Sequence, residues 1–289
     1  MDTALAIDIG GTKLAVARVD VTGRLLDRRA APTPARGPGE HMWTVLADLV
    51  GAVRTGDERV VGVGCGGPMA PGGERVSPLN IPAWRGFPLR GRLADLTGLP
   101  VHVDNDAKAL ALGEGWVGAA RGARDYIAMV VSTGVGGGIV LDGRLLDGDT
   151  GNAGHIGHVI VEPDGRPCGC GAHGCLEAEA SGTGIRAATG RDPAEADDAV
   201  RRRTGTLVGR AVASVANLLD LRLAVVAGSV ALGYGDTFLA AAQDEIDARC
   251  RIEYARGTRI ARAGLGDEGP LVGAAAVGWR AVGVDVGVA

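Results

Sequence analysis

Two segments of this chain follow one plan: an apolar run, a tight cluster of glycines and hydroxyl residues, then a second apolar run. The first is ALAIDIGGTKLAVARVD, residues 4–20, and the second is DYIAMVVSTGVGGGIVLDG, residues 125–143. Each reads as strand, glycine turn, strand. Each also opens a stretch in which strand patterns alternate with helical ones. A motif of this size occurring twice, each time at the head of an α/β segment, restricts the chain to two related α/β domains around a central cleft.

The rest of the pattern fills those domains. GRLLDRRAAPTP reads as a third strand, and residues 40–54 have helical spacing of Trp43, Leu46, Leu49, Val50 and Val53. RVVGVGCGGPMAPGG is a buried strand entering a glycine loop. GRLADLTGLP is a short helix, and VHVDNDAKALALGEGWVGA is a strand, a turn and a helix. After the second hairpin, TLVGRAVASVANLLDL is helical, RLAVVAGSVAL is a strand into a glycine turn, and GDTFLAAAQDEIDARC and GPLVGAAAVGWRAV are helices. The expected division is a small first domain over 1–118, a larger second domain over 119–269, and a last helix, about 270–289, returning to the first.

Composition excludes several classes. The 289 residues are 46% hydrophobic but only 3% aromatic, so the core is built from Val, Leu, Ile and Ala. A net charge of −4 with no basic run argues against a nucleic-acid partner. No apolar segment has the length to span a bilayer. Asp2 and Asp8 interrupt what would otherwise resemble a signal peptide, which points to the cytoplasm. Only Lys13 and Lys108 among the 30 basic residues are lysine, which makes both worth locating.

The glycine turns are the first chemical candidates. In DIGGTK, Gly10 and Gly11 carry backbone N–H groups that can approach phosphate oxygens, with Thr12 and Lys13 beside them. In STGVGGG, Ser132, Thr133 and Gly134 offer the same chemistry. Neither turn is a P-loop, and a strand pattern follows Gly11 where a dinucleotide fingerprint needs a helix. Asp8 ends a buried strand, where a carboxylate needs a partner; a Mg²⁺-bound water is a natural one. In VDNDAKAL, Asp106 stands where a strand becomes a helix. It is either a helix N-cap or a general base with Asn105 positioning the same substrate.

A second cluster lies in GNAGHIGHVIVEPDGRPCGCGAHGCLEAEASG, residues 151–182. Cys168, Cys170 and Cys175 are three thiols in one tight loop. An odd number of cysteines with three crowded together favours zinc over disulfides. Spacing leaves the fourth ligand open among His155, His158 and His173.

AIDIGGTK, HVDNDAKAL, VSTGVGGGIV, the glycine–cysteine segment and VVAGSVAL, in that order, together resemble the ROK family of sugar kinases and repressors. The resemblance spans nearly the whole chain. DIGGTK begins at residue 8, which leaves no room for the helix-turn-helix of the repressors and points to the kinase branch. It implies an actin-like, RNase H-like ATPase fold in which ATP, Mg²⁺ and a hexose meet in the cleft and the sugar 6-hydroxyl is phosphorylated. It places Asp8 near magnesium and phosphates, and Gly10, Gly11, Thr12, Lys13, Ser132, Thr133 and Gly134 in the phosphate loops. Gly228 and Ser229 fall in the adenosine loop, where the family more often has a run of glycines. Asp106 falls on the base, and Gly66, Gly67, Asn105, His158 and Glu177 against the sugar. It selects His158 as fourth ligand of a structural zinc within the 155–177 loop, with His173 a solvated loop residue.

At His155 most ROK kinases carry Glu. The G-H-I-G-H of this chain also occurs in ROK N-acetylmannosamine kinases. A neutral imidazole offers one donor and one acceptor where a carboxylate only accepts. The expected substrate is therefore glucose or an N-acylated or 2-epimeric hexose. The alternatives are a kinase for another amino sugar, and a sugar-sensing regulator without a DNA-binding domain. An oxidoreductase using the glycine loops would bind a nicotinamide and need no Mg²⁺. The family also implies a homodimer or homotetramer.

Overall fold

The computed structural model describes residues 2–34 and 37–289. Two compact units form, each a β-sheet flanked by helices. The first unit runs to Gly122 and adds Arg144–Ala153 and Gly264–Ala289; the second is Ala123–Gly143 with Gly154–Ala263.

In the first unit β1 (Thr3–Ile9) pairs antiparallel with β2 (Lys13–Asp20), which pairs antiparallel with β3 (Leu25–Pro32). On its other side β1 is parallel to β4 (Glu58–Cys65), and β4 to β5 (Val101–Asn105). The order is β3–β2–β1–β4–β5. The two faces of this sheet differ in residue size. Leu5, Ile7, Ile9, Val61 and Val63 enter a core with Met42, Leu46, Val50 and Val53 of α1 (Gly39–Val53) and the stacked rings of Trp84 and Phe87. Each such side chain contributes roughly 1.5–3 kcal/mol on burial. The alternate positions Ala4, Ala6, Gly62 and Gly64 are small. They receive α8 (Gly269–Ala281), which packs on β1 and β4, and, at Gly64, α3 (Asp106–Val117), which packs in turn against α8. A β-carbon on Gly62 would stand 1.9 Å from the Ala274 carbonyl oxygen, so only glycine admits α8 this closely. Leu89–Thr97 forms the short helix α2.

The reading of 119–269 as one domain differs from the structure at two segments, and α3 supplies the reason. Buried Lys108 holds Asp147 and the Gly151 carbonyl. Buried Glu114 accepts hydrogen bonds from the N–H groups of Ala119, Gly264 and Leu265. Segments 144–153 and 264–269 therefore lie with the first unit, as 270–289 also does, and that unit is the larger of the two and not the smaller.

The second unit opens with β6 (Tyr126–Val131) and β7 (Val135–Leu141), antiparallel, and the chain continues into the two-residue β8 (Arg144–Leu145). β9 (Leu223–Ala227) runs parallel to β6, and β10 (Arg259–Arg262) parallel to β9, giving the order β10–β9–β6–β7–β8. Short helices α4 (Leu176–Ala180) and α5 (Gly182–Thr189) follow the cysteine loop. Long helices α6 (Asp198–Leu219) and α7 (Ser229–Arg249) pack along each other, Gly205 and Gly209 meeting Phe238 and Ala242. Among the described residues no helix is long and apolar enough to cross a membrane.

Candidate functional site

In the first unit the candidates gather at the carboxyl ends of β1, β4 and β5, the usual place for ligands on an α/β sheet. Register makes the grouping: Asp8 stands opposite Gly64, and Gly64 opposite Asp104. Because Asp8 shares the small-residue face with Gly64, it lies under the first turn of α3. Burial, and then the charge of Asp106, push the Asp8 carboxyl up to about 7, while Lys13 acts in the opposite sense. A divalent cation at this carboxylate would keep it ionised, which fits a magnesium site.

The turn after β1 is closed by Gly10 N–H to the Lys13 carbonyl at 3.0 Å. It is braced from β3's end, where the Thr33 hydroxyl donates to the Gly10 carbonyl at 2.6 Å and the Thr33 N–H to the Thr12 carbonyl at 3.0 Å. Thr12 and Lys13 are left exposed at its tip. The Asn80 side chain fills the space beside Gly11 and Gly66. No local pattern in the sequence marks Asn80, which sits in a loop without periodicity.

At the β5–α3 junction the structure separates the two roles considered for Asp106. Asn105 is the N-cap: its side-chain oxygen accepts from the N–H groups of Ala107 at 3.0 Å and Lys108 at 3.4 Å. Asp106 is the first residue of the helix and is exposed, with one carboxylate oxygen accepting the Ala107 N–H at 2.9 Å. The Asn105 amide nitrogen lies beside Gly67; a β-carbon there would stand 3.6 Å from it.

In the second unit, the other glycine turn is ringed by helix starts. The Ser132 carbonyl accepts the Gly182 N–H at 2.7 Å, and the Thr133 carbonyl accepts the Thr183 hydroxyl at 2.9 Å. Ser181 caps α5 by accepting the Gly184 N–H at 3.0 Å. At the start of α7, Gly228 has φ +100° and lies against the Val131 carbonyl, a place no side chain fits. Its neighbour Ser229 shares a hydrogen bond of 2.9 Å with Ser132. Aligned helix N-termini and exposed hydroxyls favour anionic groups. Ser181 and Thr183 went unremarked in the sequence, although a hydroxyl residue before a helix is a recognisable cap signal.

The cysteine loop forms a compact donor set. One ligand atom each from His158, Cys168, Cys170 and Cys175 lies within 4.8 Å of every other. Cys168 Sγ is 3.8 Å from His158 Nδ1, and Cys170 Sγ is 3.7 Å from Cys175 Sγ. Tetrahedral zinc with Zn–S bonds of ~2.3 Å sets its sulfurs about 3.8 Å apart. The donor set fits zinc in type and spacing. His173 stays outside it, bridged by backbone to Pro167. Backbone hydrogen bonding at Ala172 lowers the Cys170 thiol's pKa, whereas burial pushes Cys175 up to about 12. The loop's flank is fixed by Glu179, buried, which receives the Arg166 N–H at 2.6 Å and the Arg203 guanidinium at 2.8 Å.

Glu177 and the histidines adjoin this loop. Glu177 accepts the Val135 N–H at 2.9 Å, joining α4 to the second glycine turn. His155 and His158 sit on one 3₁₀ turn with ring centroids 6.1 Å apart. Thus Asp8, Gly10, Gly11, Thr12, Lys13, Gly66, Gly67, Asn105 and Asp106 belong to the first unit. Ser132, Thr133, Gly134, His155, His158, Glu177, Gly228 and Ser229 belong to the second.

A family model described as "ROK family" matches residues 4–280. An N-acetylmannosamine kinase of Citrobacter koseri is 42% identical, over 81% of this chain and 85% of its own length. A glucokinase of Halalkalibacterium halodurans is 34% identical over 95% of this chain and 93% of its own length. A solved structure, the ROK family glucokinase from Streptomyces griseus in complex with glucose and AMPPNP, superposes with a TM-score of 0.83. It shares 31% identity over 96% of this chain and 99% of that one.

Proposed function

The chain belongs to the ROK family, and from that premise we propose that it is an ATP-dependent hexose kinase acting on the sugar 6-hydroxyl. The observation that carries this reading is the β5–α3 junction. Asn105 is the cap, and Asp106 beside it is an exposed carboxylate, with the half-buried carboxyl of Asp8 below it. Phosphoryl transfer to an alcohol needs a carboxylate for the hydroxyl proton and a cation site on the phosphates.

Asp106 accepts the proton of the attacking hydroxyl, and the Asn105 amide donates to the same sugar. Gly66 and Gly67 let the sugar approach the backbone. Asp8 would hold Mg²⁺, whose charge would offset that of the phosphates. Gly10, Gly11, Thr12, Lys13, Ser132, Thr133 and Gly134 contact the phosphates. Gly228 and Ser229 at the start of α7 face the adenosine. His158, Cys168, Cys170 and Cys175 would hold a zinc, a structural one since all four ligand positions would be filled by protein. With Nδ1 turned to Cys168, the His158 Nε2 remains to donate to a sugar hydroxyl, and Glu177 accepts from another.

His155 directs the choice of sugar toward an N-acylhexosamine of the N-acetylmannosamine type, with glucose the competing substrate. An imidazole can donate to an amide carbonyl, which a carboxylate cannot. A coupled ADP assay with glucose, mannose, N-acetylmannosamine and N-acetylglucosamine tests both levels. The highest kcat/KM should fall on the N-acetylated mannose. No ADP release with any hexose would overturn the kinase reading and favour a sugar sensor. The assembly is a homodimer or homotetramer, to be measured by light scattering, working in the cytoplasm.

A further inference from the structure

Of the two lysines, Lys13 has a place in the first phosphate turn and Lys108 has none in the reaction above. Lys108 is also the more unusual. Its side chain is only 3% exposed, yet it carries a charge. Three acceptors surround the ammonium: Asp147 Oδ1 at 2.6 Å, Asp104 Oδ1 at 3.0 Å and the Gly151 carbonyl at 3.2 Å. Three acceptors match its three donors. They come from two directions, strand β5 and the 144–153 segment, a geometry that suits a compact ammonium and not a planar guanidinium. In a chain that otherwise uses arginine, this explains why a lysine stands here.

The contact leads to the proposed base in short steps. Asp104 Oδ1, held by Lys108, also accepts the Asn105 N–H at 2.8 Å. Asn105 in turn caps α3 through the N–H groups of Ala107 and Lys108. Asp106 is the residue between the strand so fixed and the helix so capped. Without the ammonium, Asp104 would be a mostly buried carboxylate facing Asp147 with no counter-charge, and the junction would have to rearrange to hydrate it.

We propose that Lys108 is a positioning residue for phosphoryl transfer: it sets the Asp104–Asn105–Asp106 junction from behind and ties the 147–151 loop to it. The inference rests on the reading of Asp106 as the base. It is tested with Lys108→Met, Lys108→Arg and Asp147→Asn, the last a milder change at a half-exposed partner. Kinetics are combined with amide hydrogen exchange.

In Lys108→Met, kcat should fall about a hundred-fold, the size of effect expected from a misplaced catalytic group. The ATP KM should stay within about two-fold of wild type. Lys108→Arg should stay impaired, and Asp147→Asn should show a smaller loss in kcat of the same kind. Exchange should quicken at residues 104–108 and 147–153 while α7 keeps its protection. Unchanged kcat in both Lys108→Met and Asp147→Asn would overturn the proposal. So would exchange that quickens equally in α7, or that is unmoved at 104–108. A wild type without turnover on any hexose refutes the kinase reading instead, and the exchange measurement still decides whether Lys108 orders the junction.

Discussion

The two glycine turns look alike in the sequence, yet their surroundings give them different electrostatics. The turn after β1 is surrounded by formal charges: Asp8 before it, Lys13 after it, and Asp106 close enough to raise the Asp8 pKa. The turn after β6 has hydroxyls and the starts of α5 and α7 beside Ser132 and Thr133, and the Glu177 carboxylate against it is held by the Val135 N–H. One hairpin can hold a cation and manage a proton; the other offers neutral donors at Ser132 and Thr133, with its carboxylate engaged by backbone. A glycine turn is thus a frame, and the elements packed around it decide its chemistry.

Substitutions that separate catalysis from nucleotide binding test that contrast. The largest effect is expected from Asp106→Asn, which should lower kcat by about 10³–10⁴ while a calorimetric titration finds sugar affinity nearly unchanged. A comparable loss on Ser132→Ala would remove the distinction between the hairpins.

Asp8→Asn should cost kcat about a hundred-fold and blunt the response to Mg²⁺. Its stability signature has a definite sign. The folded pKa of Asp8, about 7, lies above the unfolded value of 3.8. The stability that the protonated carboxyl confers is complete below 3.8 and is lost as pH rises through about 7. In metal-free protein the Tm of Asp8→Asn should therefore exceed that of wild type by a margin that grows from about pH 5 to pH 8. Added Mg²⁺ should narrow it. An equal margin at both ends would mean that Asp8 is not the titrating group.

Cys170→Ser, or removal of zinc by a chelator, should lower the Tm and raise the hexose KM roughly ten-fold with less change at ATP. An unchanged hexose KM in metal-free protein would show that the cysteine loop does not support the sugar side. Ser132→Ala should have the smallest effect, a rise of about three-fold in the ATP KM from loss of one neutral hydrogen bond.

The contrast also marks what could be read in advance. The strands and long helices are written in periodicity, and the cysteine loop in close spacing, because both are local patterns. The cap at Asn105 was harder. Asp106 is an equally good capping residue by type, and only the backbone geometry gives the role to its neighbour. Asn80, Lys108 and Glu114 act across long sequence separations, and a lone polar residue in an apolar helix or loop does not name its partner. The excursion 144–153 and the residues 264–265 before the last helix share that cause. They join the first unit through contacts to Lys108 and Glu114, which leave no mark on local hydrophobic pattern.

The returning helix α8 has a consequence for how the protein is made. The small-residue face of β1 and β4 is covered by residues 269–281, near the end of the chain. During synthesis, the first strands leave the ribosome long before their cover exists. The nascent first unit must wait through translation of the whole second unit with the part of that face under α8 open. Ala4, Ala6 and Gly62 make that side poor in large apolar groups, so the waiting surface is less sticky than the Leu- and Ile-rich opposite face, which α1 covers early.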